Sequence, residues 1–194
     1  MLLKNYFINE NTILLTGIHG HHGQLQTLVI ETGKTFRVNN TAEQILNNSL
    51  KKMGTTLRGA LDHAKANLGN MNMCPIKMNS QVGLYLFPSK SPKRPDCVWF
   101  SLIHVKGAKG LGKNKTKVLL SHGHSIIVDC TIASFKTKLH RAFKLRKMIA
   151  ENEHCPITFY LEPKSDKIIR ESEQKDLNML NDDQKDISSG QNEN

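Results

Sequence analysis

Gly83-Leu84-Tyr85-Leu86-Phe87, followed after a short interval by Cys97-Val98-Trp99-Phe100-Ser101-Leu102-Ile103-His104-Val105, is the stretch that decides the fold. Both runs are rich in aromatic, aliphatic and β-branched side chains, and their length suits strands. Pro88, Pro92 and Pro95 stand between them. Proline cannot donate to a ladder, so neither strand can run on. The same interval holds Lys90, Lys93 and Arg94, so the apolar strands are joined by a basic connection.

Upstream, Tyr6–Ile8, Ile13–Leu15, Leu25–Ile30 and Phe36–Val38 are short apolar runs punctuated by Gly17, Gly20, Gly23 and Gly33, the pattern of a β-meander. Asn40 or Thr41 can cap a helix over Ala42–Met53, with Ile45, Leu46, Leu50 and Met53 as its apolar stripe. A second helix is predicted over Leu57–Leu68, ended by Gly69, with a loop over Met71–Asn79. Downstream, Gly107–Lys117 reads as a loop. Strands are predicted at Lys117–Leu120 and Ser125–Cys130 about a turn at Ser121–His124. Phe135–Ala150 is the strongest helical stretch, with Ser134 as its N-cap; Pro156 and a strand at Ile157–Leu161 follow. The expected fold is α+β: a mostly antiparallel sheet with two to three helices, in a single domain over residues 1–163. Residues 164–194 read as a polar, charged, largely flexible tail with one helix near Ile168–Leu180.

Lys and Arg number 27 against 17 Asp and Glu, a formal charge of +10. The tail holds 8 acids and 5 bases, which leaves +13 on residues 1–163. A field of that sign favours polyanionic partners. Between Lys90 and Lys117 there are eight bases and one acid, Asp96. No acid occurs between Cys130 and Ala150. At 100° per residue, Lys136, His140, Lys144 and Lys147 fall on one side of the late helix with Arg141 at its edge, opposite Phe135, Leu139, Ala142 and Ile149. That face has no i,i+4 acid within it and is left for an external anion. Arg146 falls on the apolar side, where Asp129, Glu151 or Glu153 could pair with it. The N-terminus shows no signal-like apolar run and no stretch reaches the length of a membrane span, so a cytoplasmic location is expected, without a membrane partner. Cys74, Cys97, Cys130 and Cys155 are widely spaced and read as free thiols.

One spaced pattern goes beyond charge. Leu86-Phe87-Pro88, then Arg94-Pro95-x-Cys97-x-Trp99-x-Ser101-x-x-His104-Val105-Lys106, resembles the central signature of the ComK competence transcription factors. Asn48-Ser49 and Gly54-Thr55-Thr56-x-x-Gly59 resemble that family's upstream glycine-and-hydroxyl segment. Ser134-Phe135 with Arg141, Leu145 and Arg146 resembles its late helix, and Ile157–Pro163 its short aromatic strand. The likeness spans about residues 45–163 and is densest over 86–106. It implies a DNA-binding activator of competence genes, associated with the nucleoid. Such a protein would bind A-rich and T-rich boxes on double-stranded DNA mainly through the minor groove, as a self-associating complex. It also implies control by an adaptor and protease, for which Phe159-Tyr160-Leu161-Glu162-Pro163 would be the docking strand. The physics agrees: narrow A·T minor grooves are strongly negative and draw in Arg and Lys.

The expected DNA-binding residues are Lys90, Lys93, Arg94, Lys106, Lys109, Lys113, Arg141, Lys144 and Lys147, with Arg58 a weaker candidate. Leu86, Phe87 and Trp99 are expected in the core beneath the loops. Gly107–Lys113 has P-loop spacing, but Asn114 stands where Ser or Thr must ligate Mg²⁺, and a strand follows where a helix is required. His19, His21, His22, His122 and His124 lack the accompanying Cys pair of a zinc site. Cys97 and His104 read as packing residues on a strand, not as a nucleophile and its base. No enzyme activity, cofactor or metal is therefore expected. The competing function is non-specific nucleic-acid or nucleoid binding.

Overall fold

The computed structural model describes residues 2–20 and 23–154, the side chain of His154 excepted. Among the described residues ten strands form two sheets with three α-helices, an α+β fold. β1 (Leu2–Leu3), β2 (Thr12–His19), β3 (Leu25–Glu31), β4 (Thr35–Val38), β5 (Ile76–Asn79), β6 (Leu84–Pro88) and β7 (Val98–Ser101) form a seven-stranded sheet in the order β1-β4-β3-β2-β7-β6-β5. β8 (Val105–Gly110), β9 (Thr116–Leu120) and β10 (Ser125–Val128) form a three-stranded sheet. Every pairing is antiparallel except β1 with β4.

α1 (Ala42–Lys52) opens with a capping box: Thr41 Oγ1 accepts from Gln44 N at 3.2 Å, and Gln44 Oε1 accepts from Thr41 N at 2.8 Å. α2 (Leu57–Leu68) is capped by Thr56 and stopped at Gly69, whose φ of 90° suits glycine. The two helices are tied where Leu57 N donates to Asn47 Oδ1 at 3.1 Å.

The large sheet is covered on both sides. Alternate residues of β6 and β7 therefore enter different cores. Leu84, Leu86, Cys97 and Trp99 pack with Ile45, Leu46 and Leu50 of α1 and Ala60 of α2. Tyr85, Phe87, Val98 and Phe100 pack with the small sheet and with Phe135, Ala142, Leu145 and Ile149 of α3 (Ile132–His154). Phe87, Phe100 and Phe135 form a three-ring cluster with centroids 5.5–5.8 Å apart. Leu86, Phe87 and Trp99 are thus core residues, but Phe87 faces the other side of the sheet from Leu86 and Trp99.

Several elements differ from the expectation. Tyr6–Ile8 is not a strand; Ile8 is buried and its N–H donates to Ser49 Oγ at 3.0 Å, tying the segment to α1. Ile76–Asn79, expected as loop, is an edge strand whose Ile76 and Met78 point inward. Cys97–Val105 is not one strand. The chain leaves β7 through a 3₁₀ turn at Leu102–His104 and enters the other sheet. His104 holds that turn: Nε2 donates to the Glu10 carbonyl at 2.7 Å and Nδ1 is hydrogen-bonded to Ser121 Oγ at 2.6 Å. The 107–117 stretch is mostly strand, since β8 and β9 make a hairpin through Leu111–Lys115. α3 starts earlier than expected, capped by Thr131, whose Oγ1 accepts from Ser134 N at 3.1 Å. The strand over Ile157–Leu161, the limit at residue 163 and the tail lie outside the described residues.

Truncating Phe135 to Ala removes the ring shared by Phe87 and Phe100 and should cost about 3–5 kcal/mol in urea unfolding. Phe143→Ala, on the open face of α3 and 48% exposed, should cost under about 0.5 kcal/mol in the same measurement.

Candidate nucleic-acid interface

The connection between β6 and β7 is a built loop. Ser89 N donates to Val98 O at 2.8 Å, and Val98 N to Ser89 Oγ at 2.9 Å. Arg94 N reaches Ser91 O at 3.0 Å and Cys97 N reaches Arg94 O at 3.1 Å. The Cys97 thiol donates to the Lys90 carbonyl at 3.3 Å. Burial pushes that thiol up, away from the reactive thiolate. Cys97 and His104 thus have separate partners. The loop lies directly on β2: a Cβ at Gly17 would fall 2.0 Å from the Pro95 carbonyl oxygen, so only glycine fits there.

The loop's cations differ in availability. Asp96 Oδ1 accepts from Arg94 Nε at 3.0 Å, and Oδ2 accepts from Arg94 Nη2 at 3.2 Å and from Lys90 Nζ at 2.8 Å. Bonding to Arg94 and then Lys90 holds the Asp96 carboxyl well below the usual carboxylate range. Lys90 also approaches Asp129 at 3.9 Å and is largely covered. Lys93 is exposed and pairs with no carboxylate among the described residues. With Pro92 and Trp99 it walls a cleft of 650 Å³, whose other side is Leu57, Leu61 and Lys65 of α2. Arg58, 94% exposed and 3.9 Å from Asp62, lines an adjoining hollow with Lys65. Lys65 was not legible as a site residue, because a single lysine on an amphipathic helix carries no spacing signal.

Lys106 and Lys109 lie exposed on β8, and Lys113 on the hairpin, where Gly112 takes a φ of 96°. The strand-turn-strand course of Gly107–Lys113 leaves no helix N-terminus for a nucleotide phosphate. No group of three or more His, Cys, Asp or Glu converges among the described residues, which exclude His21 and His22.

The two basic stretches meet at the start of α3. Lys90 reaches Asp129, just before the helix, and Gly110 packs on Ile132 in its first turn, where a Cβ would touch Cγ2 at 3.4 Å. Lys144 and Lys147 lie further along, about 18 and 22 Å from Ile132 at 1.5 Å per residue. They share the open face of α3 with Phe143. Lys147 is not unpaired, since Glu151 stands 3.7 Å away at i+4. Arg141 is half-buried on the other flank. Burial pushes the Cys74 thiol up, and the charges of Lys65 and Arg141 pull it part-way back, which puts both cations near Cys74.

The buried stripe of α3 is Phe135, Lys138, Ala142, Leu145 and Ile149. It is rotated toward Leu145 relative to the expected face. Arg146 is consequently exposed, with its guanidinium over Gly83, and none of the three expected acids pairs with it. Glu151 instead pairs with Lys147, Asp129 with Lys90 and Glu153 with Lys77. Lys138 takes the buried place, 6% exposed, and donates to Ser134 Oγ at 2.7 Å.

The ComK protein family profile matches residues 3–154. The chain belongs to the ComK family. It is 28% identical over 144 residues to the competence transcription factor of Bacillus subtilis (strain 168), covering 74% of each chain. No solved structure matches it. No helix among the described residues is long and apolar enough to cross a membrane.

Burial lowers the affinity of Lys138 for its proton. In the window between its folded and unfolded pKa values the unfolded chain binds more protons, so folding stability contributed by this group rises with pH. Lys138→Met should keep or raise the urea midpoint at neutral pH. The advantage over the native chain should shrink as alkaline pH discharges the native ammonium.

Proposed function

We propose that this ComK-family chain is a cytoplasmic, nucleoid-associated transcription activator of competence genes that binds double-stranded DNA at A-rich and T-rich boxes, mainly through the minor groove. The observation that carries the reading is the convergence of the proline loop and the β8–β9 hairpin at the start of α3. Near it stand Lys93 and Arg94 of the proline loop, Lys106 and Lys109 of β8, and Lys113 of the hairpin connection. Phosphate contacts from such lysines fix position, while an arginine entering a narrow groove supplies preference for A·T. Lys144 and Arg141 extend the field along α3 and support contact with a longer stretch of backbone. Lys90, covered and doubly paired, serves the loop's architecture more than direct contact.

Self-association would let paired boxes be engaged together, their spacing reflecting the symmetry of the complex. The candidate adaptor strand Phe159–Pro163 belongs to the same reading but lies outside the described residues. Non-specific nucleoid binding is the competing account, because the same lysines would serve it equally.

Fluorescence anisotropy on an A·T-box duplex and on a G·C-rich duplex of equal length separates the two. Binding should favour the A·T boxes. Affinity should fall log-linearly with salt, with a slope of about −0.9 for each phosphate neutralised. Lys109→Ala and Lys113→Ala should each flatten that slope by about one without changing the preference between duplexes. Equal affinity for both duplexes in the native chain would leave only the non-specific account.

A further inference from the structure

Asp96 is the one acid among the eight bases of residues 90–117, in a loop otherwise suited to polyanions. A carboxylate there repels phosphate, so its presence calls for a compensating role. That role is not core packing, because the side chain is 48% exposed. Both of its oxygens are engaged: one by Arg94 Nε, the other by Arg94 Nη2 and by Lys90 Nζ. The Arg94 contact is the two-pronged fork that fixes a guanidinium in plane and direction. It spends two of the five guanidinium N–H groups and leaves the rest directed away from Asp96.

The backbone beneath is fixed as well. Arg94 is hydrogen-bonded through both its N–H and its carbonyl, to Ser91 and Cys97. Pro92 and Pro95 restrict φ on either side. The Pro95 carbonyl rests where a Cβ of residue 17 would be, so the loop is seated on β2 with no slack. Lys90, the third member of the cluster, reaches across to Asp129 and fastens the loop to the segment that leads into α3.

We propose that Asp96 is a positioning residue: it holds the Arg94 guanidinium, on a loop seated by Gly17, in the orientation that discriminates A·T from G·C duplex. This rests on the DNA-binding reading above. Asp96 thereby gives up part of the loop's raw attraction for phosphate in exchange for a pre-ordered arginine. Ordering one long side chain in advance is worth roughly a three- to tenfold gain in the interaction that uses it.

The test is the ratio of affinities for an A·T-box duplex and a G·C-rich duplex, with the urea midpoint measured alongside. Asp96→Asn removes the charge and half of the fork. It should bind the G·C duplex as tightly as the native chain or more tightly, steepen the salt slope by about one as Lys90 and Arg94 are released, and lower the A·T preference roughly three- to tenfold. Arg94→Lys, which keeps the charge and loses the fork, should lower the preference similarly. The double variant should lose no more preference than Arg94→Lys alone, because both changes remove one interaction. Gly17→Ala displaces the loop without touching any charge, so it should lower the preference and leave the salt slope unchanged.

Native-like preference in Asp96→Asn overturns the proposal. So does an equal loss of affinity for both duplexes with a lowered urea midpoint, which would make Asp96 a structural residue. A native chain with no preference between duplexes would instead remove the DNA-recognition reading on which the proposal stands.

Discussion

The rest of the molecule depends on burying both faces of the β6–β7 pair. β6 and β7 are buried along their whole lengths, although they are antiparallel, because α1 covers one side, α3 with the small sheet covers the other, and α2 contributes Ala60 to the first core and Ala64 to the second. Antiparallel sheets often leave one face to water; this one cannot, since Phe87 and Phe100 on one face and Leu86 and Trp99 on the other all need cover. The three-ring contact of Phe87, Phe100 and Phe135 fixes where α3 crosses the sheet. It thereby places the start of α3 near the end of the strands from which the proline loop projects. The loop's cations owe their neighbours to an apolar contact that none of them makes.

Charge in this region is organised as well as abundant. Lys93, Lys106, Lys109 and Lys113 are exposed and have no carboxylate partner among the described residues. Lys90 and Arg94 are tied to Asp96. Exposed lysines keep their rotamer freedom until they meet a phosphate, which suits contacts that need reach more than direction. A forked arginine has surrendered that freedom already, which suits contacts that need direction. Surface ion pairs contribute little to folding stability, so the Asp96 cluster is better understood as setting geometry than as holding the fold together. Lys138 is the opposite case. It occupies a core position on α3 with Ser134 as its hydrogen-bond partner and contributes nothing to the open basic face.

What was legible in the sequence followed from local signals. β6, the core of β7, α1 and α2 could be read because apolar periodicity, capping threonines and Gly69 mark them within a few residues. β8 was hidden because Gly107, Gly110 and two lysines imitate a loop, and its strand character comes from pairing with β9. The break at Leu102–His104 was hidden for the converse reason: no glycine or proline interrupts the run, and the turn is imposed by His104 bonding to the remote Glu10 and Ser121. The rotation of α3 is not legible because a lysine such as Lys138 does not mark a buried position in a sequence, although its long stem lies well on an apolar stripe. The cationic candidates of the loop and hairpin could be found by composition. Their grouping, the addition of Lys65 and the pairing of Lys90 and Arg94 with Asp96 depend on tertiary contacts that spacing does not encode.

The hairpin and the loop are also held in different ways, and the difference bears on how they can act together. The loop is anchored on both sides, by Gly17 beneath Pro95 and by Lys90 against Asp129, so it has little freedom to adjust to a surface. The hairpin is anchored at its base, where Gly110 meets Ile132, while Leu111–Lys115 beyond it is exposed and includes a glycine at positive φ. A rigid element beside an adjustable one allows a shape-sensitive contact to be made by the first and backbone contacts of variable position to be made by the second. Sequence-dependent groove width would then be felt mainly at the loop, while the lysines of the hairpin follow the phosphates wherever the local twist puts them.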